Sequence, residues 1–65
     1  MKLKYDKESD AAYIHLEEVA PGEVTDTQCD WPIHIDIAKD GVVVGIEVMD
    51  ASTILTQRVL ESGEV

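Results

Sequence analysis

Apolar and polar positions alternate along two stretches of this chain before the period changes. In "MKLKYDKESDAAYIHLEE", Met1, Leu3 and Tyr5 alternate with Lys2, Lys4 and Asp6, the period of a half-buried strand. After "KESD" the alternation resumes with Ala12, Ile14 and Leu16 against Tyr13, His15 and Glu17. A loop over residues 7–10 sets Asp6 opposite Ala11 and pairs Tyr5 with Ala12, Leu3 with Ile14 and Met1 with Leu16, all on one face. An odd shift would move Ile14 and Leu16 into water, so the pattern specifies the register. "IAKDGVVVGIEVMDAS" predicts a second hairpin around the turn dipeptide Asp40-Gly41, where glycine tolerates a positive φ. An even loop, either Asp40-Gly41 or Ala38 to Gly41, turns Ile33, Ile35, Ile37, Val44, Ile46 and Val48 inward. The opposite face then carries His34, Asp36, Val43, Gly45 and Glu47.

Between the hairpins the pattern is irregular. Pro21-Gly22 is a turn signal, and "EVTDT" predicts a short strand with Val24 facing in. Cys29 to Pro32 read as a connection, with Trp31 folded back as a lid over one end of the core. Pro32 suits the first position of the following strand, where a missing N–H does least harm. From Asp50 the period lengthens: Ala51, Ile54, Leu55 and Val59 share a helical stripe flanked by Leu60. Asp50 or Ser52 can cap its start and Gly63 can end it. One apolar helix face and one apolar sheet face must bury each other. The expected fold is therefore α+β, a single domain over 1–65. It has a small antiparallel sheet of about four strands (two hairpins) and one C-terminal helix packed on one face.

Composition narrows the functional classes. A chain of 65 residues is near the lower limit for one self-sufficient core. With no Phe, and only Tyr5, Tyr13 and Trp31 as aromatics, that core rests on Ile, Val and Leu. Self-association would bury more. The net charge of -9 repels phosphate backbones, so direct nucleic-acid binding is not expected, whereas a basic protein partner or plain solubility is. The lone Cys29 excludes an internal disulfide framework and fits a reducing compartment. No apolar run opens "MKLKYDKESD" and none reaches membrane-spanning length, so a cytoplasmic protein without a membrane partner is expected.

"YDKESDAAYIHL" followed by "DIAKDGVVVGIEVMDAS" closely resembles a small prokaryotic family, domain of unknown function 2283. The matching positions are Tyr5, Asp6, Asp10, Tyr13, Ile14, Asp36, Asp40, Gly41, Val44, Gly45, Ile46, Glu47, Ala51 and Ser52. The chain departs from the pattern in "DTQCDWPIH", where Cys29, Trp31 and His34 are not family features. The resemblance implies a compact β-rich fold with a C-terminal helix. It also implies an antitoxin-like role, because members look like small partners encoded beside proteins proposed as toxins.

Few residues offer chemistry. His34, Asp36 and Glu47 share the outer face of the second hairpin and could hold a metal through nitrogen and oxygen ligands; a solvated polar face is the competing reading. The same carboxylates could act as acid and base only where burial separates their pKa values. A sheet face offers no pocket, so no enzyme and no cofactor are expected. Gly45 marks a bend or an aromatic such as Tyr13 packed over it. Asp6 and Asp10 flank the first turn, where their oxygens commonly bond turn amides. Cys29 reads as an incidental thiol. The outer face, with Tyr13, His15, His34, Asp36, Val43 and Glu47, is too mixed for a core and too apolar for a dedicated solvent face. It is the expected interaction face of a non-catalytic protein–protein binding module, as a homodimer or with a basic, toxin-like partner. The rival readings are a metal-binding or catalytic protein using His34, Asp36 and Glu47, and a purely homo-oligomeric structural protein.

Overall fold

Both alternating stretches form hairpins, and the irregular stretch between them forms a further strand. A computed structural model describes residues 1–20 and 22–63. In chain order these give β1 (Lys2–Asp6), β2 (Ala11–His15), β3 (Val24–Asp30), β4 (Ile33–Ala38), β5 (Val43–Val48), α1 (Ala51–Ile54) and α2 (Gln57–Ser62). The strands make one five-stranded sheet in the order β1-β2-β5-β4-β3, and every neighbouring pair is antiparallel. The two hairpins thus join through β2 and β5.

The first hairpin has the register its alternation requires, with Leu3 opposite Ile14, Tyr5 opposite Ala12 and Asp6 opposite Ala11. In the second, Ile33 faces Val48, His34 faces Glu47 and Ile35 faces Ile46, so Glu47 points away from the core. The loop parity differs from expectation. Ala38 N–H donates to Val42 and Gly41 N–H to Ala38, both at 2.8 Å, leaving Lys39, Asp40 and Gly41 as the loop, with Gly41 at φ 85°. A bulge beside Asp36 and Ile37, where Ile37 opposes Val43, absorbs the extra residue. The bulge restores the even register farther along the hairpin. Val44 is accordingly buried while Val43 is exposed.

The short strand expected in "EVTDT" forms but runs on to Asp30 as β3, and the sheet has five strands instead of about four. β3 is seven residues long and exposed throughout, so neither face carries the burial alternation that announces a strand. Its formation instead satisfies the backbone groups on the far edge of β4. Val24 sits opposite Ala38 and is exposed rather than facing in. Cys29 and Asp30 belong to the strand, and only Trp31 and Pro32 make the turn into β4. Trp31 is 62% exposed and is no lid. The predicted Pro21-Gly22 turn lies partly outside the described residues; Gly22 has φ 87°.

The expected single helix is two short ones. Leu55 is extended (φ -105°, ψ 149°) between them, and its side chain packs against the core. Thr56 then caps α2, its hydroxyl accepting the Val59 N–H at 3.2 Å, and Gly63 ends it at φ 68°. The core is Leu3, Ala12, Val48, Ala51 and Leu60, ringed by Tyr5, Ile14, Ile33, Ile46, Leu55 and Val59. Ala12 and Ala51 are fully buried; their small side chains bring the helical layer close to the sheet. Ile35 and Ile37 continue the inner face but are only half-buried and lie outside that cluster. Among the described residues, no helix is long and apolar enough to cross a membrane.

Candidate functional site

Strand pairing carries two rows of polar side chains across the sheet face opposite the helices. One row runs Cys29, His34, Glu47, Tyr13, Lys4 from β3 to β1, and the next runs Thr27, Asp36, Gly45, His15, Lys2. Directly opposed residues in an antiparallel sheet share a face, so the candidates His34, Asp36 and Glu47 lie together with Tyr13 and His15. Val43, the remaining expected member, stands beyond the bulge and is exposed.

Tyr13 organises this face. It leans across Gly45, where an added Cβ would overlap its ring and hydroxyl, and donates to Asp36 Oδ2 at 2.6 Å. Thr27 Oγ1 donates to the other Asp36 oxygen at 2.8 Å. The glycine within β5 is therefore explained by an aromatic packed over it. A separate pair forms alongside, with His34 Nδ1 3.2 Å from Glu47 Oε1. His34 Nε2 is buried without a partner among the described residues. The Trp31 ring stands edge-on to His34 at 6.2 Å, and Tyr13 edge-on to His15 at 4.6 Å.

Burial pushes the Tyr13 phenol up to about 12, helped by its bond to Asp36 and by the negative charges of Asp36 and Glu47. The stabilisation from this neutral phenol is complete below its ordinary value of 10.0 and is lost as pH rises through about 12. The stability gap between the wild type and Tyr13→Phe is therefore expected to hold through neutral pH and close only at strongly alkaline pH. Denaturant unfolding across that range measures it. A Tyr13 tyrosinate band emerging at the pH of a free phenol would count against the buried bond.

The chemistry available to this face is limited. Asp36 is held by Tyr13 and Thr27, whereas His34 and Glu47 hold each other, so the three candidates divide between two networks. Among the described residues, no three His, Cys, Asp or Glu side chains converge as a metal site. An open cleft of about 660 Å3 is lined by Lys4, Tyr13, His15 and Val44 among others, and by none of His34, Asp36 and Glu47.

A further network joins Tyr5, Asp10 and Ser52. The Tyr5 hydroxyl donates to Asp10 Oδ1 at 2.6 Å, and Ser52 donates its N–H to the same oxygen at 3.0 Å and its hydroxyl to Oδ2 at 2.7 Å. Ala51 N–H donates to the Asp10 carbonyl at 2.8 Å. The first turn of α1 is thus capped by Asp10; Asp50 makes no side-chain cap. The Tyr5 bond, followed by the Ser52 bond, holds the Asp10 carboxyl below its ordinary range, and the same contact raises Tyr5. Asp6 plays the expected turn role, accepting the Glu8 N–H at 3.1 Å. Thr27 and the capping role of Asp10 escaped sequence reasoning, because each depends on a partner brought near only by the sheet. The pairing of Asp10 with Ala51-Ser52 in the family pattern was the available signal.

No curated protein and no solved structure matches the chain. The family model described as "Protein of unknown function (DUF2283)" matches residues 2–52. That span holds both the Tyr13–Asp36–Gly45 arrangement and the Tyr5–Asp10–Ser52 network, and the chain belongs to that family.

Proposed function

We propose that the protein is a non-catalytic, cytoplasmic protein–protein binding module that works as an assembly. The antitoxin-like role implied by the family resemblance is its specific form. One observation carries this reading: the helices cover only part of one sheet face. The cluster under them draws on β1, β2, β5 and Ile33, while Ile35 and Ile37 remain half-buried beside β3, which is exposed along its length. A chain this small has little mass with which to cover that remainder, and a two-fold dimer is the commonest remedy. Repulsion between surfaces of charge -9 is screened beyond about 8 Å at physiological salt. Apolar burial worth roughly 25 cal/mol per Å2 then favours contact.

Absence of catalysis is part of the proposal. It is supported by the engagement of Asp36 with Tyr13 and Thr27 and by a cleft lining that includes none of His34, Asp36 and Glu47. The metal-binding alternative draws no support from the division of its three residues between two networks.

Sedimentation at micromolar concentration and physiological salt tests the assembly. The expected mass is twice the 7.2 kDa chain, and Ile37→Glu, which places a charge on the bare inner face, is expected to give a folded monomer. A wild type that sediments cleanly at 7.2 kDa would overturn self-association.

A further inference from the structure

We propose that the open edge of β3 docks an extended basic segment of another protein, which adds to the sheet as a further antiparallel strand. This rests on the binding-module reading above and names the surface and the partner chemistry.

The two edges of the sheet are unlike. On β1 the Leu3 N–H is already taken by the Gly63 carbonyl at 2.8 Å, and Lys2 and Lys4 discourage further pairing. At the other edge β3 ends the strand order, and among the described residues no segment bonds its outer side. The alternation of antiparallel hydrogen bonds identifies the groups left over. Leu16 N–H bonds the Val44 carbonyl at 3.0 Å and Met49 N–H bonds the Pro32 carbonyl at 2.8 Å. This phase directs the backbone groups of Ile14, Ile46 and Val48 across the β2–β5 seam and those of His34 and Asp36 toward β5. Ile33, Ile35 and Ile37 then bond toward Asp30, Gln28 and Asp26, their partners on β3. The N–H and C=O groups of Thr27 and Cys29 consequently point out of the sheet.

Charge selects the occupant. No Lys or Arg lies between Lys7 and Lys39, while Glu23, Asp26 and Asp30 line or adjoin this strand. Pairing β3 with β3 of a second copy would bring these carboxylates together, and on the β1 edge of a second copy the Leu3 N–H is already taken by Gly63. A foreign strand with basic side chains opposite Asp26 and Asp30 has neither obstacle. Those positions fall in the non-hydrogen-bonded pairs, where opposed side chains approach most closely. Main-chain bonds to Thr27 and Cys29 supply the binding, and the two carboxylates supply selectivity.

The test uses a short end-blocked peptide of alternating threonine and valine, with lysines replacing valines at the spacing of Asp26 and Asp30. Binding is read by calorimetry and by emission of Trp31, which follows β3 directly and is 62% exposed. Saturable, equimolar binding is expected. N-methylation of the peptide residues facing Thr27 and Cys29 is expected to abolish it. Cys29→Pro should abolish it as well, because it removes an edge N–H where proline is tolerated. Asp26→Ser combined with Asp30→Ser should weaken it about tenfold, and Glu8→Ser on the first hairpin loop should leave it unchanged. Absence of binding overturns the proposal, as does an N-methylated peptide that binds equally well. A wild-type dimer that dissociates on Cys29→Pro would show that a second copy occupies the edge, defeating this proposal while upholding the assembly. Peptide binding to a wild-type monomer would do the reverse.

Discussion

Gly45→Val is expected to destabilise the protein by on the order of 3–5 kcal/mol, and Gly45→Ala by about 2–3 kcal/mol. The position is an ordinary strand site in its backbone, and a side chain there would ordinarily help a β-strand. What forbids one is Tyr13, whose ring and hydroxyl fill the space a Cβ would need. The ring can yield only by swinging away from Asp36, which gives up the 2.6 Å bond to the carboxylate and exposes the buried Gly45 backbone. Overpacking costs about 1–3 kcal/mol and a hydrogen bond to a charged group contributes about 1.5–3 kcal/mol, the two effects overlapping in part. A domain of this length holds only roughly 3–10 kcal/mol in total, so the valine variant should be largely unfolded. Chemical denaturation gives the magnitudes, and a double-mutant cycle identifies the cause. With Tyr13→Ala already present, Gly45→Ala should cost less than about 1 kcal/mol. An undiminished cost in that background would clear Tyr13 of responsibility.

Asp10→Ala should lower Tm by roughly 5–10 °C, the scale of a lost helix cap in so small a domain. Asp10 is at φ 54°, a left-handed conformation that Asp tolerates better than Ala, and its carboxylate accepts from Tyr5 and twice from Ser52. Asp10→Asn separates these contributions. Asn keeps the backbone tolerance and one acceptor but loses the charge, so its Tm should fall between those of the wild type and Asp10→Ala. Because the native carboxyl titrates below its ordinary 3.8, its contribution is complete above that pH and is lost as pH falls through the lower native value. The gap between wild type and Asp10→Asn should therefore be constant near neutrality and close in acid. Equal melting of wild type and Asp10→Ala at neutral pH would remove Asp10 from the set of residues that hold α1 to the sheet.

By itself the sequence determined the two hairpins, their inward sets and the outward placement of Glu47. Burial of one strand face imposes a period of two, and that period survives in any local window. It also located Asp40-Gly41 as a turn, the Gly63 stop and the close approach at Gly45, since glycine at such positions answers a local steric demand. The sheet alone decided the rest. The sequence placed only a short strand in "EVTDT"; β3 exposes both faces, so no burial pattern marks its extent, and it runs on to Asp30 because the edge of β4 needs a partner. The odd loop at Lys39–Gly41 became compatible with the even register only through a bulge across the hairpin. Tyr13 reaches an aspartate 23 positions away, and Asp10 caps a helix 42 positions away. These distances close only when β2 docks on β5 and α1 settles on the first hairpin, because hydrogen bonds and steric contact act over a few ångströms in space and not along the chain.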